Sequence, residues 1–103
     1  LPHDHATVHI EDRGYQLADG VYEYFAFYNR IILDEKAHLD RLWRSLKKLS
    51  IPEPMPRAAL SFVMHELIAR NGRDDGGLYL QVTRGVARRD HAFPKDVKPA
   101  LSM

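Results

Sequence analysis

The stretch Gly20-Val21-Tyr22-Glu23-Tyr24-Phe25-Ala26-Phe27-Tyr28-Asn29 constrains the fold of this chain more than any other. Rich in aromatic residues and free of proline, it reads as a β-strand. Side chains alternate across a strand, so Val21, Glu23, Phe25 and Phe27 share one face while Tyr22, Tyr24, Ala26 and Tyr28 share the other. Asn29-Arg30 reads as a hairpin turn into a second arm, Ile31-Ile32-Leu33. Glu23 stands out on the more apolar face. Buried there, it needs a partner such as Arg13 or Arg84, because an unpaired buried carboxylate is costly. The tyrosine face has two open readings: ordinary packing in a core or interface, or a cleft wall whose hydroxyls donate to a bound anion.

Helical spacing follows. Leu39, Leu42, Trp43, Leu46 and Leu49 form one apolar stripe, predicting a helix over about 35–49 with Asp34 as its N-cap. Arg41 lies beside that stripe. Pro52, Pro54 and Pro56 interrupt the helix, and a second one begins with Pro56 in its first turn. Its buried face is Leu60, Val63, Met64, Leu67 and Ile68, and Asn71-Gly72 ends it. Three further segments have strand character: residues 6–10, the run Leu78-Tyr79-Leu80-Gln81-Val82-Thr83-Arg84-Gly85, and a short apolar start near Leu101. Residues 11–20 form a loop with one helical turn. The predicted class is α+β, an antiparallel sheet with two helices packed on one side.

Composition narrows the function. Fifteen basic against fourteen acidic residues leave a net charge of +1, which gives no electrostatic case for nucleic acid or an anionic membrane. Without cysteine there is no thiolate metal site or disulfide framework, and His3, His5 and His9 lack a partnered ligand set, so no metal is expected. No apolar run reaches bilayer length and Leu1 opens no signal peptide, making a cytoplasmic setting the default expectation. The chain opens on Leu1-Pro2 and stops at Leu101-Ser102-Met103 as a strand begins. Residues 1–103 are therefore expected to be one domain cut from a longer protein.

The chemistry-bearing residues lie after the last long strand. Arg89 and His91 are two apart, so in extended backbone both project to one side. A guanidinium fork beside an imidazole suits a carboxylate, although a solvated basic loop has the same composition. No nucleophile elbow and no phosphate loop is present. Glu11, Asp12, Asp19 and Glu23 lie in or beside turns, where aspartate mostly bonds its own backbone. From the residues alone the reading is an anion-friendly cleft.

Three ordered blocks add to it. Glu11-Asp12-Arg13-Gly14-Tyr15 with Asp19-Gly20-Val21-Tyr22-Glu23, then His38-Leu39-Asp40-Arg41-Leu42, then Tyr79 to Gly85 with Arg89-Asp90-His91 and Phe93-Pro94, resemble the class IV aminotransferases. These are pyridoxal 5'-phosphate enzymes of fold type IV, and the pattern is most similar to members that transaminate D-amino acids. The resemblance implies the small N-terminal domain of such an enzyme, a homodimer exchanging amino groups between D-amino acids and 2-oxo acids. It implies that Arg41 helps bind the cofactor phosphate. It implies that Tyr22, Arg89 and His91 hold the substrate carboxylate, the last two in the neighbouring subunit's site, and that Tyr24 lines the pocket. The cofactor-bonding lysine would lie past Met103, so these residues alone are expected to be inactive.

Two departures touch specificity. Tyr24 replaces a smaller aliphatic residue common in the family, and Leu17-Ala18 replaces an aromatic-glycine pair. Aminodeoxychorismate lyases and branched-chain aminotransferases share the first two blocks, which keeps both as alternatives. A non-catalytic dimerising domain is the remaining one.

Overall fold

A computed structural model describes all residues, Leu1–Met103. The helical turn α1 (Arg13–Leu17) precedes the long strand β1 (Gly20–Tyr28), the short arm β2 (Ile31–Ile32), helices α2 (Glu35–Leu49) and α3 (Arg57–Asn71), then β3 (Gly76–Thr83) and β4 (Ala100–Ser102). The four strands form one antiparallel sheet in the order β2-β1-β3-β4. The register pairs Tyr22 with Gln81, Tyr24 with Tyr79 and Phe25 with Leu78.

Strand alternation decides what the sheet buries. Glu23, Phe25 and Phe27 of β1 and Leu78, Leu80 and Val82 of β3 are covered, and their strand neighbours Tyr22, Tyr24, Tyr28 and Tyr79 are exposed. The covering layer is helical. Leu39, Leu42 and Leu46 of α2 and Leu60, Met64 and Ile68 of α3 meet the apolar strand residues in one core. Leu42, Leu60 and Leu80 are fully enclosed, and each such leucine contributes about 1.5–3 kcal/mol. The α+β class with both helices on one side of the sheet is as the alternation and stripe require.

Local details depart from the sequence reading in four places. Residues 6–10 make no strand, and Val8 and Ile10 are exposed. Their hydrogen bonds go to a local turn instead: His9 O accepts from Asp12 N (2.9 Å) and Ile10 O accepts from Gln16 Nε2 (2.7 Å). Asp34 precedes α2 but does not cap it with its side chain, because its backbone is left-handed (φ 50°). Pro56 sits one position earlier than expected, at the N-cap of α3. Leu49, last in the α2 stripe, is exposed.

The hairpin turn forms as read. Asn29 and Arg30 both have positive φ (47° and 62°), the geometry that matches strand twist in two-residue turns. The α3–β3 turn braces it, with Asp74 accepting from the Arg30 side chain and Asp75 from the Asn29 amide.

Candidate functional site

Glu23 is the one charged residue that β1 turns toward the helices, and it is 2 % exposed. Its partners come from α2. Arg41 donates through Nε to Oε1 (2.7 Å) and through Nη2 to Oε2 (2.6 Å), a two-pronged fork, while His38 Nδ1 lies 2.8 Å from Oε2. His38 and Arg41 are three apart, so one helix face presents both. The partners expected from the sequence, Arg13 and Arg84, are engaged elsewhere. That spacing on α2 was the available signal for His38, which sequence reasoning missed.

The fork fixes Arg41 without using it up. Nη1 takes no protein acceptor, and the side chain is about half exposed. Arg41, Arg44 and His38 line one shallow cavity with Asp34 and Ala37. Tyr22 lies on the open face of β1, opposite the buried Glu23. An exposed guanidinium edge, pinned from behind and flanked by a second arginine, suits a phosphate or carboxylate.

Tyr22 continues onto an aromatic wall. Its ring stacks on Tyr79 with centroids 5.7 Å apart, and Tyr79 donates its hydroxyl to Gln81 Oε1 (2.7 Å). The Tyr24 ring lies over Gly77 so closely that a Cβ at residue 77 would collide with its hydroxyl. Glycine there lets the larger residue at 24 lie flat on the sheet. Tyr22 and Tyr24 therefore share an open face, as alternation requires.

Arg89 and His91 are not brought to that wall. Both are exposed and make no hydrogen bond within the chain. The backbone bends at each of them, so the extended geometry expected for residues 89–91 does not hold. His91 faces a cavity lined by Arg13, Asp19, Leu49 and Phe93. The loop leaves β3 through Gly85, whose φ of 104° and close approach to the Lys98 carbonyl exclude any side chain.

Beside that loop lies a second charged cluster. Asp19 Oδ2 accepts from Arg13 Nε and Arg84 Nε, both at 2.7 Å, and Asp19 Oδ1 accepts from Arg84 Nη2 at 3.0 Å. Arg84 also donates to the carbonyls of Leu49 and Ser50, closing the C-terminal end of α2. Both arginines are buried. Asp19 is thus a structural anion rather than a turn residue bonding its own backbone.

These contacts set an acid limit. Burial pushes the Asp19 and Glu23 carboxyls up, but hydrogen bonds and charge from Arg84 and Arg13, and from Arg41 and His38, outweigh it, leaving both below their ordinary values of 3.8 and 4.5. A lowered folded pKa means the unfolded chain binds more protons in that range, so stability rises with pH there. The stabilisation is complete above the ordinary values and lost as pH falls through the lowered ones. Melting temperature should therefore hold steady above about pH 5 and drop progressively below it. A midpoint at strongly acidic pH equal to that at neutrality would rule this out.

The model of the family described as amino-transferase class IV matches residues 20–103. D-alanine aminotransferase of Bacillus licheniformis is 44% identical over 96 residues, covering 93% of this chain and 34% of that protein. The branched-chain amino acid aminotransferase of Escherichia coli superposes with a TM-score of 0.91 at 16% identity, covering 98% of this chain and 34% of the other, a likeness of fold. A hypothetical aminotransferase from Mycobacterium tuberculosis, in its PLP-bound form, superposes at 0.74 with 25% identity and the same coverage. The chain spans about a third of the length of each.

Proposed function

The chain belongs to the class IV aminotransferases, a pyridoxal-phosphate-dependent family, and from that membership we propose that it is the N-terminal domain of a D-amino-acid transaminase. The remaining two thirds would supply the lysine that bonds the cofactor. A cytoplasmic homodimer is part of this reading. The observation that carries it is the Arg41 guanidinium, forked onto Glu23 and presenting its free edge to a shallow cavity that Arg44 and His38 share. The 44% identity to a D-alanine aminotransferase supports the substrate class.

When bound, pyridoxal phosphate supplies the electron sink for cleavage at the amino acid's α-carbon. Arg41 grips its phosphate, and Glu23 and His38 keep that guanidinium oriented so that little side-chain freedom is lost on binding. The Tyr22 hydroxyl donates to the substrate carboxylate, and Tyr24 with Tyr79 walls the site against water. Arg89 and His91, with no partner in their own chain, hold the carboxylate in the neighbouring subunit.

The test is transamination of D-alanine by the full-length protein with 2-oxoglutarate as acceptor, read as pyruvate formed. Activity on D-alanine well above that on L-alanine is expected. Arg89→Met should raise the KM for D-alanine by about tenfold or more, the value of a charge-assisted pair, with cofactor loading unchanged. Pyruvate release from aminodeoxychorismate without D-alanine transamination would replace this reading with the lyase.

A further inference from the structure

The loop from Arg88 to Phe93 is exposed, has no secondary structure and makes no ladder bonds, yet two buried arginines hold it, one between the reactive pair and one just past it. Arg13 Nη1 donates to the main-chain carbonyl of Asp90, the residue between Arg89 and His91, at 2.7 Å. The Arg84 guanidinium lies 4.4 Å from the centroid of the Phe93 ring, two residues after His91. Both guanidiniums are locked by the single carboxylate of Asp19, and they are 3% and 6% exposed. We propose that Arg13 and Arg84, tied together by Asp19, are positioning residues that fix the loop bearing Arg89 and His91 for carboxylate capture. The inference rests on the carboxylate role given to that loop above.

The geometry favours positioning over simple structural support. A buried arginine normally ends its donors on core carbonyls, as Arg84 does at Leu49 and Ser50. Arg13 instead spends a donor on an exposed loop, at the carbonyl of the residue that separates the two side chains. Asp90 tightens the same turn by accepting from the Ala92 amide through Oδ1 (3.1 Å). The paired segments Glu11–Arg13 and Gly85–Ala87 set the loop's base, with Arg13 N donating to Gly85 O (2.9 Å) and Ala87 N to Glu11 O (3.3 Å). A loop fixed in this way loses little conformational entropy when substrate arrives. Freed, it would sample orientations in which the fork and the imidazole no longer converge, at a cost to substrate binding rather than to chemistry.

Two variants of the full-length holoenzyme test this. Arg13→Lys keeps the charge but lacks the fork that reaches Asp19 and Asp90 together. Phe93→Leu removes the ring from the Arg84 guanidinium at an exposed position, so the fold should survive it. Trypsin cleavage after Arg88 and Arg89, both exposed, is measured beside KM and kcat for D-alanine, because a loop must leave its fixed course to enter a protease cleft. Both variants should speed cleavage in the loop by about tenfold and raise KM about fivefold, with kcat within about twofold of the parent. Unchanged cleavage in both variants would overturn the proposal. So would faster cleavage with unchanged KM, provided Arg89→Met in the same assay does raise it. If Arg89→Met leaves KM untouched, the carboxylate reading fails and takes this inference with it, a result told apart by that single control.

Discussion

Asp19→Asn should cost about 3–5 kcal/mol of unfolding free energy, the usual penalty for removing one partner of a buried ion pair. The shape at residue 19 is kept and only the charge goes. Two guanidiniums that share Asp19 are then left inside the protein with no anion between them. Water cannot replace the carboxylate, because both arginines are more than nine-tenths buried. Domains of this size are stable by about 5–15 kcal/mol in total, so the loss is a large share of it. Urea unfolding reads it directly as a fall in midpoint of roughly 1–5 M with little change in slope. A midpoint within the error of the parent would mean that the cluster contributes nothing net.

Arg41→Met should weaken binding of pyridoxal phosphate to the full-length protein on the order of 100-fold, following the loss of a preorganised charge-assisted contact to a phosphate. Absorbance of the bound cofactor, titrated against dialysed protein, measures it. Stability should change far less than with Asp19→Asn, since Glu23 keeps His38 and Arg41 is half exposed. Glu23→Gln offers the complementary reading. It leaves Arg41 in place without its anchor, so cofactor affinity should fall by a smaller factor. Affinity equal to the parent's in Arg41→Met would remove this arginine from the phosphate site.

The contrast between these variants reflects how the two charged clusters could be read. Strand alternation placed Glu23 on the buried side of β1, and the demand for a partner followed. Which partner it takes could not follow, because arginine at position 13, 41 or 84 meets that demand equally well on paper. In the fold, β1 lies under α2, which puts His38 and Arg41 over Glu23, while Arg13 and Arg84 converge on Asp19 at the end of the sheet. Asp19 itself sits just before a glycine, where turn chemistry is the ordinary expectation and a buried anion is not.

The sequence by itself determined the long tyrosine-faced strand, the hairpin turn at Asn29-Arg30, two amphipathic helices and the aminotransferase pattern. Each is written in the spacing of near neighbours, where a period of two or of three to four is enough. Residues 6–10 show the limit of that logic: they alternate correctly, yet their backbone groups bond to a local turn and not to a ladder. Only the tertiary structure decided the charge pairing and the bent course of the Arg89–His91 loop. Asp19 and Arg84 are 65 residues apart, and Arg13 and Asp90 are 77 apart. Such contacts depend on which elements come together, and local periodicity carries no information about that.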